Sequence, residues 1–154
     1  MNVTIVGAGN MGLAMTGYIA VHHKAQVTLF TNRNILEKDT LKVKDVERKE
    51  FFYTKNFVCT SDPEVAFANA DITFVTYPAF LRKKFIEGYE KYFKQGSYLG
   101  FVPGYGGAEY SCVSLLDREV NIFGFQRVPY VARANEDESG RIAGILSKKT
   151  RLYI

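Results

Sequence analysis

The feature that most constrains the fold is a glycine motif at residues 7–12, Gly7-Ala8-Gly9-Asn10-Met11-Gly12. It directly follows a short run of β-branched residues from Val3 to Val6, which predicts a buried strand over residues 2–7. After the motif, apolar side chains recur at helical spacing from Met11 to His22, which predicts a helix over residues 10–22. A GxGxxG motif between a strand and a helix is typical of a loop that binds the diphosphate of a dinucleotide.

Each residue of this loop has a predicted role. Gly7 makes a tight turn, Gly9 lets a diphosphate approach the backbone, and Gly12 lets the helix pack closely against the strand. Asn10 and Met11 begin the helix, whose unpaired N–H groups and partial positive charge favour phosphate. We therefore predict that these five residues bind a cofactor. The alternative is a glycine turn without a ligand.

The residues about twenty positions beyond the motif predict which dinucleotide binds. An acidic residue there would hold the adenosine ribose of NAD, but the chain has Thr31, Asn32 and Arg33. Thr31 and Asn32 donate hydrogen bonds, and Arg33 pairs with a 2′-phosphate. The sequence therefore predicts NADP in preference to NAD. The alternative is that Arg33 is an ordinary exposed residue and both cofactors bind.

The rest of the chain alternates strand-like and helix-like segments. A helix capped by Ser61 or Asp62 and a helix over residues 79–93 separate further strands, which are predicted over residues 26–30, 57–60, 71–76, 98–102 and 121–125. This alternation predicts an α/β fold of the Rossmann, doubly wound type, with a mostly parallel sheet. The segments 128–134 and 141–147 predict an antiparallel C-terminal extension along one edge of that sheet, and residues 151–154 again resemble a strand.

Four further segments bear on the site or the surface. Balanced charges over residues 35–50 predict an exposed hairpin, with a basic docking patch as the alternative. Tyr77 and Pro78 follow the fourth strand of the sheet and are predicted to line the cofactor, unless Tyr77 packs beneath a helix. Gly104 lies in the glycine-rich turn 103–107, predicted to approach the nicotinamide and to lead into a helix ending near residue 116. The basic run from Arg82 to Lys84 is predicted to face solvent.

Composition excludes several classes of function. The formal charge of +4 suits an anionic ligand, but basic and acidic residues are interspersed, so we predict no nucleic-acid partner. The two cysteines, Cys59 and Cys112, form no CxxC pair, and we predict no metal site. Residues 3–21 carry no charge, but their glycines and polar residues predict a buried strand, turn and helix. We therefore predict no membrane partner and a cytoplasmic location.

The chain resembles the N-terminal domain of the octopine/nopaline (opine) dehydrogenase family, and more distantly ketopantoate reductase and 6-phosphogluconate dehydrogenase-like proteins. The resemblance rests on VGAGNMG at 6–12, Asn32-Arg33, YPA at 77–79, PGYGGAE at 103–109, and the pattern of residues 127–149. Ketopantoate reductases place a catalytic lysine just after the fourth strand. This chain has Tyr77-Pro78-Ala79 there, which favours the opine-like branch.

The resemblance implies the reductive condensation of a 2-keto acid with an amino acid, in which NAD(P)H delivers hydride to an imine. It also implies a helical catalytic domain, with a histidine and an acidic partner, that residues 1–154 are expected to lack. His22 and His23 lie at the end of the first helix and are predicted to pack there, so no catalytic residue is assigned. The alternatives are a non-catalytic NADP(H)-binding module and a small reductase complete at this length. The expected partners are a homodimer mate or a separate catalytic subunit.

Overall fold

A parallel sheet of six strands organises the computed structural model, which describes residues 1–32, 40–105, 107–137 and 140–154. In chain order the strands are β1 Asn2–Val6, β2 Gln26–Phe30, β3 Leu41–Asp45, β4 Glu50–Thr54, β5 Phe57–Thr60, β6 Ile72–Val75, β7 Tyr98–Phe101, β8 Asn121–Gly124, β9 Tyr130–Asp137 and β10 Gly140–Lys148. The α-helices are α1 Asn10–His22, α2 Pro63–Phe67 and α3 Ala79–Tyr89, and 3-10 helices span Glu90–Tyr92 and Ala108–Arg118.

The order of strands in the large sheet is β5-β2-β1-β6-β7-β8, and every neighbouring pair is parallel. The chain moves outward from β1 through β2 to β5 and then returns to the other side of β1. The direction of winding therefore reverses between β1 and β6. This is the topology of a doubly wound dinucleotide-binding fold, so the predicted α/β class is confirmed.

Apolar side chains cover both faces of β1. Val3 and Ile5 belong to the cluster that packs against α1, whereas Val6 belongs to the cluster formed with α2 and α3. A strand buried on both faces needs no alternation of polar and apolar residues, which explains the continuous β-branched run of its sequence.

A second sheet, with strand order β4-β3-β10-β9, corrects two predictions. The tail strands are antiparallel to each other, as predicted, but they do not cover an edge of the large sheet. They pair with the predicted hairpin instead, because β10 runs parallel to β3. Leu41, Val43 and Asp45 are buried, so this hairpin is not simply a solvated surface. Lys42 and Lys44 alternate with them, and their charges conceal an apolar face with strand periodicity.

The helix α1 is buried between the two sheets rather than along one stripe as predicted. Its buried residues include the consecutive Leu13, Ala14 and Met15, which lie about 100° apart around the helix. A Cβ at Gly17 would overlap Cγ2 of Val43, so glycine is what allows β3 to approach α1. The helix therefore fixes the second sheet against the first.

Other boundaries differ from the predicted ones. The helix predicted over 79–93 is α-helical only to Tyr89, and the helix after the glycine-rich turn is of the 3-10 type. No strand is assigned over residues 151–154, all of them described, although the carbonyl of Tyr153 accepts a hydrogen bond from the backbone N–H of Gln126. Phe80, in the first turn of α3, is 81% exposed.

An apolar groove of about 720 Å³ lies on the sheet face that α1 covers elsewhere. Ile72, Phe74, Tyr98, Phe123 and Phe125 line it from β6, β7 and the end of β8. Phe74 and Phe125 stack with their ring centroids 5.9 Å apart. This groove is separate from the cleft described below.

A buried ion pair joins two neighbouring strands of the second sheet. Asp45 on β3 lies 2.5 Å from Nζ of Lys148 on β10, and its Oδ1 accepts a hydrogen bond from the backbone N–H of Arg48. Burial raises the pKa of Asp45, but the Lys148 ammonium and the Arg48 hydrogen bond outweigh it, so the pKa lies below the usual aspartate range. The pair therefore stabilises the fold above the ordinary aspartate pKa, and this contribution is lost as the pH falls.

Replacing Lys148 with methionine is expected to lower the free energy of unfolding by about 3–5 kcal/mol at neutral pH, because it leaves the buried Asp45 carboxylate uncompensated. The difference in unfolding free energy between the variant and the wild type should become smaller on acidification, when Asp45 takes up a proton. Urea titrations at neutral pH and near pH 4 measure both effects. The exposed neighbour Lys149→Met serves as the control, with an expected change of about 0.5 kcal/mol or less. Equal stability of the two variants would contradict the prediction.

Candidate functional site

A cleft of about 820 Å³ opens at the carboxyl ends of β1, β2 and β6, where the direction of winding reverses. Open α/β sheets bind their ligands at this position. The described residues around it come from four segments and are Gly7, Ala8, Gly9, Thr31, Asn32, Thr76, Tyr77, Pro78, Phe80, Leu81, Lys84, Phe85, Gly88 and Tyr89. The structure thus brings six of the predicted cofactor-binding residues to one cleft: Gly7, Gly9, Thr31, Asn32, Tyr77 and Pro78.

Two glycines of the loop differ sharply in their surroundings. Gly7 has φ +100°, and a Cβ there would lie 2.9 Å from Oγ1 of Thr76 and 3.0 Å from the ring of Tyr77. Gly9 precedes the first turn of α1, and a Cβ on it would meet no atom within 4 Å. The backbone at Gly9 is therefore open to an approaching ligand, whereas Gly7 is enclosed by the protein.

The remaining loop residues, Gly12, Asn10 and Met11, fix the start of α1 within the fold. A Cβ at Gly12 would overlap the carbonyl oxygen of Gly7 and lie 3.2 Å from Oγ1 of Thr76, so α1 packs closely against the end of β1. Asn10 and Met11 do not line the cleft. The side-chain oxygen of Asn10 accepts a hydrogen bond from the backbone N–H of Ala134 on β9, which ties the start of α1 to the second sheet.

The segment after β2 supplies one wall of the cleft. Thr31 is buried, and its backbone N–H donates to the carbonyl of Thr60 at 2.9 Å. Asn32 lines the cleft and is exposed. Arg33, the predicted partner of a 2′-phosphate, lies outside the described residues. Lys84 on α3 lines the same cleft and was missed as a site residue, because its basic neighbours pointed to a solvated run.

The opposite wall begins with Tyr77 and Pro78. The ring of Tyr77 meets Phe85 edge-on, with centroids 5.6 Å apart, and also lies against Gly7. Tyr77 therefore lines the cleft and also packs against α3, and its contact with a cofactor stays a prediction. Pro78 is the residue that caps the start of α3.

Gly104 is not brought to this cleft. Its backbone N–H donates to the carbonyl of Phe125 at 2.7 Å, and a Cβ there would overlap Cα of Gly124. The close approach that this glycine allows is to the chain at the end of β8. The approach of Gly104 to a nicotinamide ring stays a prediction.

Arg82 corrects the prediction of a solvent-facing basic run, because it is only 3% exposed. Its Nε donates to the carbonyl of Tyr77 at 3.2 Å, and its Nη2 donates to the carbonyl of Pro103 at 2.6 Å. The guanidinium carbon lies 5.2 Å from the ring centroid of Phe101, and burial lowers the pKa of Arg82. The available sequence signal was its spacing of three and four residues from Phe85 and Ile86, which are both buried.

Acid–base groups are sparse in the cleft. Among the described residues that line it there is no histidine, aspartate or glutamate. His22 packs at the end of α1 as predicted, with its ring centroid 4.4 Å from that of Tyr18 and 5.1 Å from that of Phe52. Burial, followed by the nearby Lys148, lowers the pKa of His22.

No three histidine, cysteine, aspartate or glutamate side chains in the described ranges gather into a group that would hold a metal ion. None of the helices there has the length and apolar character needed to cross a membrane.

Comparisons with known proteins identify relatives of the whole chain. The sequence model described as ketopantoate reductase PanE/ApbA matches residues 3–103. The octopine dehydrogenase of Pecten maximus is 27% identical over 167 residues, an alignment that covers 99% of this chain and 41% of that protein. The chain thus spans about two-fifths of the length of the curated relatives that it matches.

Solved structures agree in fold. An octopine dehydrogenase structure with NADH and L-arginine has a TM-score of 0.83 and 25% identity, and covers 99% of this chain and 41% of its own. A yersinopine dehydrogenase with NADP+ bound has a TM-score of 0.75, covers 99% of this chain and 40% of its own, and is 13% identical, a likeness that shows the fold alone.

Proposed function

We propose that this chain, which belongs to the ketopantoate reductase PanE/ApbA family, binds a nicotinamide dinucleotide with its diphosphate at the start of α1. The observation that carries the proposal is the contrast among the three glycines of the loop. Gly7 and Gly12 are enclosed by protein atoms, and Gly9 alone of the three faces open space at the cleft. A loop closed at two positions and open at the third is shaped for a phosphate at that position.

The topology orients the dinucleotide in the cleft. In doubly wound folds the segment after the second strand of the sheet contacts the adenosine ribose. Here that segment is Thr31 and Asn32, so the adenosine half lies over β2. The nicotinamide half then extends from Gly9 in the opposite direction, toward Tyr77 and Pro78 at the end of β6.

We propose NADP as the preferred cofactor. Neither Thr31 nor Asn32 carries the negative charge that would repel a 2′-phosphate, and Arg33 follows them directly in the chain. Lys84 places a positive charge on the wall of the cleft. The octopine dehydrogenase structure contains NADH, so the proposal of NADP rests on the residues of this chain.

Calorimetric titration with NADPH and NADH tests the function and the preference together. We expect NADPH to bind about tenfold more tightly, a difference of about 1.4 kcal/mol. Arg33→Gln should remove most of this difference and leave the affinity for NADH unchanged, which makes NADH the internal control. Binding of neither dinucleotide would overturn the function, and NADPH binding no tighter than NADH would overturn the preference.

We further propose that residues 1–154 are the dinucleotide-binding domain of an oxidoreductase that condenses a 2-keto acid with an amino acid. The similarity to octopine dehydrogenase supports this reaction class. The absence of histidine, aspartate and glutamate from the described lining of the cleft supports a proton donor outside these residues. A helical catalytic domain, a separate subunit or a second copy of the chain is the proposed source. A cytoplasmic location completes the proposal.

A second candidate is a non-catalytic module that binds NADP(H) as a sensor or structural ligand. The same scarcity of acid–base groups in the described cleft favours it. Oxidation of NADPH by the purified chain, followed at 340 nm across pairs of 2-keto acids and amino acids, separates the possibilities. Turnover by residues 1–154 would contradict the sensor, and unchanged specific activity in dilute, monomeric protein would also contradict the proposed outside source of the proton donor.

A further inference from the structure

We propose that Arg82 is a positioning residue that sets the nicotinamide side of the cleft, an inference that rests on the proposed function. Its guanidinium joins two backbone carbonyls, that of Tyr77 in the loop after β6 and that of Pro103 in the loop after β7. Lys83, the next residue of the basic run, instead lies at the surface, with its Nζ 3.8 Å from Oε1 of Glu87.

The bridge extends the sheet beyond its last ladder bond. Val75 and Phe101 are register partners, and the backbone N–H of Val102 donates to the carbonyl of Val75 at 2.9 Å. Tyr77 and Pro103 each lie two residues further along their strands. Proline has no N–H to donate, so these two residues cannot pair through it. The guanidinium, with several donors in a planar fork, binds both of their carbonyls instead.

Burial strengthens the constraint that this bridge places on the two loops. Arg82 is almost entirely enclosed, and its charge lies over the ring of Phe101, where an unpaired donor costs more than at a surface. The side chain therefore holds the two loops at one separation. Free loops at the ends of parallel strands would not be fixed in this way.

Tyr77 connects the bridge to the cleft. Its carbonyl is held by Arg82, while its ring packs edge-on against Phe85 and lies against Gly7. A shift of the Tyr77 backbone would therefore move a ring that lines the cleft beside the glycine loop. Thr31 and Asn32, which are proposed to face the adenosine half, follow β2 and therefore lie on the other side of β1.

This asymmetry gives the proposal a specific test. A ligand that spans only the adenosine half, adenosine 2′,5′-bisphosphate, should be indifferent to Arg82, whereas NADPH should depend on it. The variants are Arg82→Gln, which removes the charge and the fork, and Arg82→Lys, which keeps the charge but lacks the planar fork. Lys83→Gln is the matched control, because it removes an exposed charge from the adjacent position.

We expect both Arg82 variants to lose about tenfold or more in NADPH affinity, since a displacement of about 1 Å in a positioning group has large effects. Their affinity for adenosine 2′,5′-bisphosphate should stay within twofold of the wild type, and Lys83→Gln should resemble the wild type with both ligands. Thermal melts verify that each variant is folded. If Arg82→Gln does not fold, Arg82→Lys alone is compared with the wild type.

Three outcomes would overturn the inference. Unchanged NADPH affinity in a folded Arg82 variant would show that the bridge does not set the cleft. An equal loss for both ligands would show a general structural role. Full NADPH affinity in Arg82→Lys would assign the effect to charge rather than to the bridge. Wild-type protein that binds neither ligand would overturn the proposed function itself, and the role of Arg82 with it.

Discussion

Gly9→Val is expected to weaken NADPH binding about a hundredfold, or about 2.8 kcal/mol, while the chain remains folded. The site of the change is open, since a Cβ there meets no protein atom within 4 Å. Gly9 has φ −81° and ψ −174°, a backbone conformation that any residue adopts, so the valine introduces no strain. Its branched side chain instead fills the space from which a diphosphate would reach the N–H groups of α1.

Calorimetry and urea unfolding together measure this effect. The free energy of unfolding should change by about 1 kcal/mol or less, because Gly9 caps α1 without a side-chain hydrogen bond. Gly9→Ala, with a smaller side chain, should lose less affinity than Gly9→Val and so gives a graded control. Wild-type affinity in the valine variant would mean that no ligand approaches at Gly9. An unfolded variant would contradict the openness of the site.

The parts of the fold that the sequence predicts well are those specified by neighbouring residues. The run from Val3 to Val6, the glycine loop and the helix after it form one continuous unit, so their order fixes the local structure. The start of α2 is similar: Asp62 accepts a hydrogen bond from the backbone N–H of Glu64, and Pro63 occupies the first helical position. The regular alternation of strands and helices then leaves few topologies besides the observed one.

The second sheet was not predictable by the same means. Its central pairing joins Lys42 on β3 to Ile142 on β10, residues separated by most of the chain. Each strand alone gives only a short alternating pattern, and the charges of β3 resemble a solvated surface. Nothing local in either segment identifies its partner. The burial of α1 on two sides follows from this pairing and was missed with it.

The same difference between local and distant determinants separates the site residues that the sequence predicts from those that it misses. Gly7, Gly9, Thr31 and Asn32 were found because a motif and a fixed distance along the chain identify them. Arg82 was missed because its partners are backbone carbonyls from two other segments, and carbonyls carry no sequence information. The spacing of three and four residues from Phe85 and Ile86 would have predicted that Arg82 is buried. Because Arg82 is followed by two further basic residues, the sequence predicted a solvent-facing run instead.

Gly12→Ala is expected to destabilise the fold strongly, by about 3 kcal/mol, because the added methyl has no space. Its Cβ would overlap the carbonyl oxygen of Gly7 and lie 2.9 Å from the carbonyl carbon. These are backbone atoms at the end of β1, so relief requires α1 to move away from the sheet. Since α1 also supports the second sheet, that movement would disturb packing on both sides of the helix.

Thermal and urea unfolding of two alanine variants isolate this packing term. For a chain of this length, a loss of about 3 kcal/mol lowers the melting temperature by about 10 °C. Gly88→Ala is the matched control, because it adds the same methyl to a helix at a position with no atom within 4 Å. That variant should gain about 0.5–1 kcal/mol from the better helix propensity of alanine. Equal stability of the two variants would mean that α1 does not depend on Gly12 to approach β1, and the enclosed geometry of the loop would be wrong.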